Sequence, residues 1–210
     1  MILVGQYDSP FVRRVGVTLH LYRIPFTRNA ISVFTDVDEM ARINPLVRIP
    51  SLVLDSGETL IDSAAILDTL DEMVGPSRAL TPPSGPARRR VMQATALAAG
   101  AMDKAGAWVY ERHFHPPGQR SETMLARYEA QLAGALSWLD AQTRDGRLCG
   151  PALSQADISA ACLVFYLKLR VGSTFPEGSY PRLATLCNAL EATDAFIAAR
   201  PAPNESMPSA

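Results

Sequence analysis

The chain has 210 residues, 48% of them hydrophobic and 20% charged, which is enough to bury a full core and excludes a disordered or fibrous protein. The formal net charge of −1 leaves no global basic field for nucleic acid or an anionic membrane. The longest mainly apolar stretch, Ile158 to Leu167, is far short of the roughly 20 residues that span a bilayer. The opening Met1-Ile2-Leu3-Val4 lacks the cationic start of a secretory signal. Cys149, Cys162 and Cys187 have neither CxxC nor metal-ligand spacing and read as reduced thiols, so a cytoplasmic protein is expected.

In chain order, Ile2-Leu3-Val4-Gly5 reads as a short buried strand. Ser9-Pro10 is an N-cap followed by proline at the first helical position, and Val12, Val15, Leu19 and Tyr22 then recur at helical spacing until Pro25. Thr27 to Ile31 is expected as a second strand and Asp36 to Arg42 as a short helix. Ser51–Leu54 and Thr59–Ile61 flank the turn Asp55-Ser56-Gly57-Glu58 as a hairpin. Ser63 is expected to cap a helix with the apolar stripe Ile66, Leu67, Leu70, Met73 and Val74. The order βαβαββα, with a parallel unit followed by a hairpin, implies a mixed sheet with helices on its faces.

Everything beyond reads as helix. Val91, Ala94, Ala98, Ala101, Ala105 and Trp108 form one stripe of mostly small residues. Leu125, Tyr128, Leu132, Leu136 and Leu139 form another. Ser154-Gln155-Ala156-Asp157 matches a capping box, stapled by Leu153 and Ile158, ahead of a helix apolar on all sides that is expected to be central. A shorter helix follows Pro181.

Residues 1–76 carry −4 and the remainder +3, and the stretch around Gly75-Pro76-Ser77 and Thr81-Pro82-Pro83-Ser84-Gly85-Pro86 separates them. The expected divisions are a domain at 1–76, a linker at 77–87, an all-helical domain at 88–200 and a disordered tail at 201–210.

No Walker loop, GxGxxG, HExxH or GxSxG is present. His20 reads as a surface residue, His113 and His115 as solvated loop residues, and no metal site is expected. Three junctions carry the chemistry. Ser9 opens the first helix, whose unpaired N–H groups favour an anion or thiolate; its hydroxyl can accept from the helix and still donate outward. Pro50 starts a strand, where proline is ordinarily an edge device in trans; were it cis, the backbone of Ile49 would face a peptide-like ligand. Asp62-Ser63 begins the third helix; it is an ordinary cap that also suits an α-amino acid head group, with ammonium on Asp62 and carboxylate on Ser63 and the helix amides.

Taken together, Ser9-Pro10-Phe11-Val12-Arg13, Asn44-Pro45 through Ile49-Pro50, Asp62-Ser63 and Leu153-Ser154-Gln155-Ala156-Asp157-Ile158 resemble the glutathione S-transferases, in particular bacterial members with a serine after the first strand. The resemblance spans residues 1 to 200. It implies an α/β thioredoxin-like N-terminal domain followed by an all-α C-terminal bundle, and detoxification chemistry with glutathione as co-substrate. It further implies that Ser9 donates to the glutathione sulfur, that Ile49 beside a cis-Pro50 pairs with the cysteinyl unit, and that Asp62 and Ser63 hold the γ-glutamyl end. Arg48 then faces the glycine carboxylate, although Val47 stands where the family usually has glycine. A small apolar electrophile is expected between the halves, walled by Tyr7, Pro10 and Phe11 on one side and by Met102, Trp108 and Tyr166 on the other. A homodimer is implied, with neither nucleic acid nor membrane as partner. The alternatives are a non-catalytic glutathione-binding or structural relative, or a specialised peroxidase, isomerase or dehalogenase.

Overall fold

The apolar run at the start of the chain becomes an inner strand of a four-stranded sheet in the computed structural model, which describes residues 1–172 and 176–205. Strand β1 (Ile2–Val4) pairs in parallel with β2 (Thr27–Asn29) and antiparallel with β3 (Ser51–Val53), which pairs antiparallel with β4 (Thr59–Ile61). The sheet order is therefore β2-β1-β3-β4. Helices α1 (Pro10–Tyr22), α2 (Val37–Ile43) and α3 (Ser63–Val74) complete the expected βαβαββα succession. α1 and α3 pack on each other and on the sheet, and Leu3, Val4 and Leu52 are all buried instead of alternating in and out.

The predicted apolar stripe of α1 is buried, and so are Arg13 and Arg14. Arg13 explains its own burial: Nε donates to the Ala199 carbonyl at 3.0 Å and Nη2 to the Phe196 carbonyl at 3.3 Å, with the guanidinium 5.5 Å from the Phe196 ring. These carbonyls lie at the C-terminal end of α8 (Asp194–Ala198), where a cation meets the helix's unpaired acceptors.

The first compact unit thus holds Met1–Pro83 together with the chain from Ala192, and the second holds Ser84–Glu191. This corrects two expectations. Residues 192–200 do not belong with the helical unit. Residues 201–205 are not a loose tail, because Glu205 is only 6% exposed and its carboxylate accepts from Arg28 Nη2 at 2.8 Å and from the Tyr7 N–H. A half-buried ion pair of this kind is invisible in a Pro- and Ala-rich terminal sequence. The rest of the expected tail, 206–210, lies outside the described residues.

The expected linker is also shorter and better held than its prolines suggest. The Tyr22 hydroxyl donates to Asp71, whose Oδ2 accepts the Thr81 N–H at 3.1 Å, and Arg78 Nη2 donates to the Tyr22 carbonyl at 2.6 Å. Helix α4 begins at Gly85, with Pro86 in its first turn, where a missing N–H costs nothing.

In the second unit, α4 (Gly85–Phe114) packs on α5 (Glu122–Gln142) and α6 (Gln155–Arg170), and α6 packs on α7 (Pro181–Glu191). The small-residue stripe of α4 is buried as expected, and every residue from Ser154 to Leu163 is buried, which makes α6 the central helix. Asp157 anchors its start. One carboxylate oxygen accepts the Ser154 N–H at 2.8 Å and the Ser154 hydroxyl at 2.7 Å, and the other accepts the Leu148 N–H at 2.8 Å. Asp157→Ala strands these buried donors and is expected to lower unfolding stability by about 3 kcal/mol in urea denaturation. Asp157→Asn should recover part of that loss, and an unchanged midpoint for the alanine variant would contradict the anchoring role.

Candidate functional site

Register decides which chain ends meet. Val4 is paired with Ser51, and Ser51 with Ile61. Gly5, Pro50 and Asp62 therefore leave the sheet at the same end of three adjacent strands. Gly5 has φ +123°, and a Cβ built there would lie 2.7 Å from Val12 Cγ2 and 2.8 Å from Ile49 Cβ. Only glycine allows the end of β1 to run so close to both the first turn of α1 and Ile49. From the sequence Gly5 reads as the last residue of a strand; a glycine directly after an apolar run and before a helix cap is the signal that marks it.

Ser9 has the extended backbone of an N-cap, and its Oγ accepts the Val12 N–H at 3.5 Å. It is partly exposed, and its hydroxyl proton makes no hydrogen bond among the described residues. The group therefore keeps a donor free at a helix N-terminus, where an anion is favoured.

The loop before Pro50 is organised by Asn44, a buried residue. Its Oδ1 accepts the Leu46 N–H at 3.0 Å, its Nδ2 donates to the Arg48 carbonyl at 2.8 Å, and its own carbonyl accepts the Val47 N–H at 2.9 Å. This clamp holds Val47 at φ +50°, a left-handed conformation that costs a non-glycine residue about 1–2 kcal/mol. In the sequence Asn44 is visible only as part of the Asn44-Pro45 motif, because its bracing role depends on the fold of the loop. The Ile49–Pro50 bond is cis. Strand pairing starts at Ser51, and among the described residues no backbone hydrogen bond engages Ile49. The Arg48 side chain is exposed.

At the third junction the cap is Asp62, not Ser63 as expected. Asp62 sits at φ +70°, and its Oδ1 accepts the Ala64 N–H at 2.7 Å while the residue stays exposed. Ser63 is the first helical residue and is buried. Its hydroxyl receives the Arg14 guanidinium, through Nε at 3.2 Å and Nη2 at 2.6 Å.

The expected apolar wall needs correction. Tyr7 is 1% exposed and belongs to the core of the first unit. Its ring lies against Gly16, where a Cβ would be 2.4 Å from Tyr7 Cε1, and the Arg28 guanidinium stands 3.6 Å from its centroid. Burial pushes its phenol up to about 12, against the opposing pull of Arg28, so it is neither an open surface nor an acid near neutrality. Pro10 is buried and Phe11 is half-buried at the first turn of α1. Met102, Trp108 and Tyr166 are buried, at 1, 5 and 7% exposed. The Trp108 indole donates to Glu129 at 2.9 Å and carries the Arg112 guanidinium 4.7 Å above it.

His20 is half-buried against Phe26, and burial, then Arg28, holds its imidazole below the usual range. Burial pushes the Cys149 thiol up to about 11 and raises Cys187 as well. Among the described residues no group of three or more His, Cys, Asp or Glu is placed to hold a metal ion.

Two family models match the chain: "Glutathione S-transferase, N-terminal domain" over residues 3–78 and "Glutathione S-transferase, C-terminal domain" over residues 122–189. The chain is 31% identical over 201 residues to the uncharacterized GST-like protein YibF of Escherichia coli K12, covering 96% of this chain and 98% of that protein. Among solved structures it is similar to a glutathione S-transferase from Methylobacillus flagellatus KT with GSH bound (TM-score 0.88, 29% identity, 96% of this chain and 99% of that one). It is also similar to a glutathione transferase family member from Pseudomonas fluorescens Pf-5 with bound glutathione (TM-score 0.84, 32% identity, 96% and 98%).

The Tyr7 hydroxyl is buried without a hydrogen-bond partner. Tyr7→Phe removes that cost, so its thermal midpoint is expected to match the parent or exceed it by up to about 1 kcal/mol of stability. Clear destabilisation in thermal denaturation would mean that the hydroxyl is bonded.

Proposed function

Because the chain belongs to the glutathione S-transferase family, we propose that it binds glutathione at the shared end of β1, β3 and β4 and transfers the glutathione thiolate to an apolar electrophile. The observation that carries this reading is the convergence of a free Ser9 donor, an unpaired Ile49 backbone and the Asp62–Ser63 helix start at one sheet end.

Each part of the tripeptide has a chemical counterpart. Ile49 pairs its N–H and carbonyl with the cysteinyl unit, as in strand addition. Asp62 takes the γ-glutamyl ammonium, and the Ser63 hydroxyl with the first amides of α3 takes the α-carboxylate. The exposed Arg48 guanidinium takes the glycine carboxylate. The sulfur then lies by Ser9 at the start of α1.

A free thiol titrates near ~8.5, and lowering that value by about 2 units requires roughly 2.7 kcal/mol of preference for the anion. A hydrogen bond to a charged group supplies ~1.5–3 kcal/mol, and a partly buried helix terminus up to ~2 kcal/mol. Together they suffice without a general base. The thiolate attacks the electrophilic carbon, the C–S bond forms, and the leaving group departs with its electron pair or the electrons move onto the acceptor. Phe11 supplies an apolar face beside the sulfur. Free cysteines fit a cytoplasmic setting, and the −4 and +3 halves suit a homodimer in which the acidic half of one chain meets the basic half of another.

A second reading, glutathione binding without turnover, is favoured by one observation: Ser9 already has a structural task as the α1 cap. Ser9→Ala separates the two. Glutathione is expected to bind still, with the bound thiol's pKa raised and conjugation slowed about 10- to 100-fold, read from thiolate absorbance and initial rates. Unchanged kinetics would remove Ser9 from the mechanism, and binding by the parent protein with no turnover on a panel of electrophiles and peroxides would favour the second reading. Asp62→Ala is expected to weaken glutathione binding about tenfold or more by calorimetry; unaltered affinity would refute the ammonium contact.

A further inference from the structure

We propose that Arg14 is a positioning residue that makes the Ser63 hydroxyl an obligate proton donor, and that it thereby sets the preference of the α3 start for a carboxylate. The inference rests on the reading of Ser63 as part of the γ-glutamyl site and adds to it the residue that decides which chemical group Ser63 can accept as a partner.

A serine hydroxyl has one proton to give and two lone pairs to offer. Two N–H groups on one guanidinium carbon of Arg14 converge on Ser63 Oγ from the same side, at 3.2 and 2.6 Å, so the hydroxyl accepts from a fixed cation and its proton turns away from it. Among the described residues that proton has no acceptor. An incoming ammonium would have to share Ser63 with the Arg14 cation and is repelled by it. An incoming carboxylate has only lone pairs and meets a donor already turned away from Arg14. Asp62, one residue earlier, presents the reverse character, because its exposed carboxylate only accepts. Adjacent residues with opposite preferences orient an α-amino acid head group in a single sense.

Arg14 suits the task because it is held and because it does not titrate. It is buried on α1, with its guanidinium 5.8 Å from the Phe11 ring centroid. A guanidinium has no acceptor and keeps its charge at any working pH, so the direction of the Ser63 proton does not switch. Its planar fork can place two N–H groups on one oxygen, whereas a lysine ammonium acts as a point charge.

A plain structural tether between α1 and α3 predicts different behaviour, and a pair of ligands separates the two. The probes are glutathione and 4-aminobutyryl-cysteinylglycine, which lacks only the α-carboxylate of the γ-glutamyl residue. Both are titrated by calorimetry into the full chain, its Arg14→Met, Arg14→Lys and Ser63→Ala variants, and the Arg14→Met/Ser63→Ala double variant, with circular dichroism to check folding. The parent is expected to prefer glutathione about tenfold or more, as for a hydrogen bond to a charged group. Arg14→Met should lose about tenfold for glutathione and less than about twofold for the analogue, and the double variant should lose no more than either single one. Arg14→Lys keeps a buried cation and is expected to lose a few-fold of the preference; it carries the test if Arg14→Met does not fold. Equal weakening of both ligands, or full preference retained in the Arg14 variants while Ser63→Ala loses it, overturns the inference and leaves the head-group site standing. Preference retained in Ser63→Ala overturns the head-group reading itself and the inference with it.

Discussion

The pairing of Val4 with Ser51 and of Ser51 with Ile61 is the constraint from which the site follows. The side-chain period of a strand is two, so a one-residue slip would exchange the faces of the fully buried Ser51 and Leu52 and force a leucine into the space packed around a serine. That difference in buried volume pins the register. Once the register is pinned, the last residue of β1, the first of β3 and the last of β4 lie side by side. The residues just beyond them, Gly5, Pro50 and Asp62, have no alternative neighbourhood. Hydrophobic burial in the sheet thus determines which polar groups converge outside it.

A second layer of control comes from two consecutive arginines in α1. Neighbouring residues on a helix point about 100° apart, so Arg13 and Arg14 reach different elements. Arg13 binds carbonyls at the end of α8, and Arg14 binds Ser63 at the start of α3. Arg13 places a cation at the unpaired acceptors of the C-terminal end of α8, where the helix dipole favours it, whereas Arg14 meets the N-terminal end of α3 through the Ser63 hydroxyl. The chain beyond α8 then returns Glu205 to the Tyr7 N–H and Arg28, two residues from Ser9. The loop that carries Ser9 is also braced by the contacts of the Tyr7 ring with Gly16 and with the Arg28 guanidinium.

Much of this was legible in the sequence, and what was missed has a common cause. Helix and strand periods, the Ser9-Pro10 start, the hairpin and the Asp157 capping box are local signals, so the succession of elements and both domain types were readable from spacing alone. The family resemblance added the cis Ile49–Pro50 bond, which spacing had left conditional. The misses are groups whose role depends on residues far along the chain. Glu205 lies 177 positions from Arg28, and nothing near either residue announces the pair. Tyr7 beside the Ser9 motif looked like a substrate wall because the closeness of Gly16 to its ring is a tertiary fact. Asp62 takes the cap from Ser63 because a carboxylate at positive φ reaches the Ala64 N–H, while the hydroxyl one residue on is claimed by Arg14.

Backbone strain at the site has a similar logic. Val47 and Asp62 both sit at positive φ without being glycine, and such residues persist only where the surroundings over-determine them. At Val47 the determinant is Asn44, which closes the turn with three hydrogen bonds from one buried residue. The strain is confined to the segment that presents Ile49, so it serves to orient main-chain groups instead of a side chain. At Asp62 the same conformation keeps the carboxylate exposed while it still caps α3. In the proposed function, a site built this way relies on a pinned backbone for recognition of a peptide and on one short hydroxyl, Ser9, for the reacting atom. That division asks for no shifted histidine or low-pKa cysteine beside it. The chemistry asks for a negative sulfur to be stabilised, and a helix terminus with a free O–H meets that demand without moving a proton of its own.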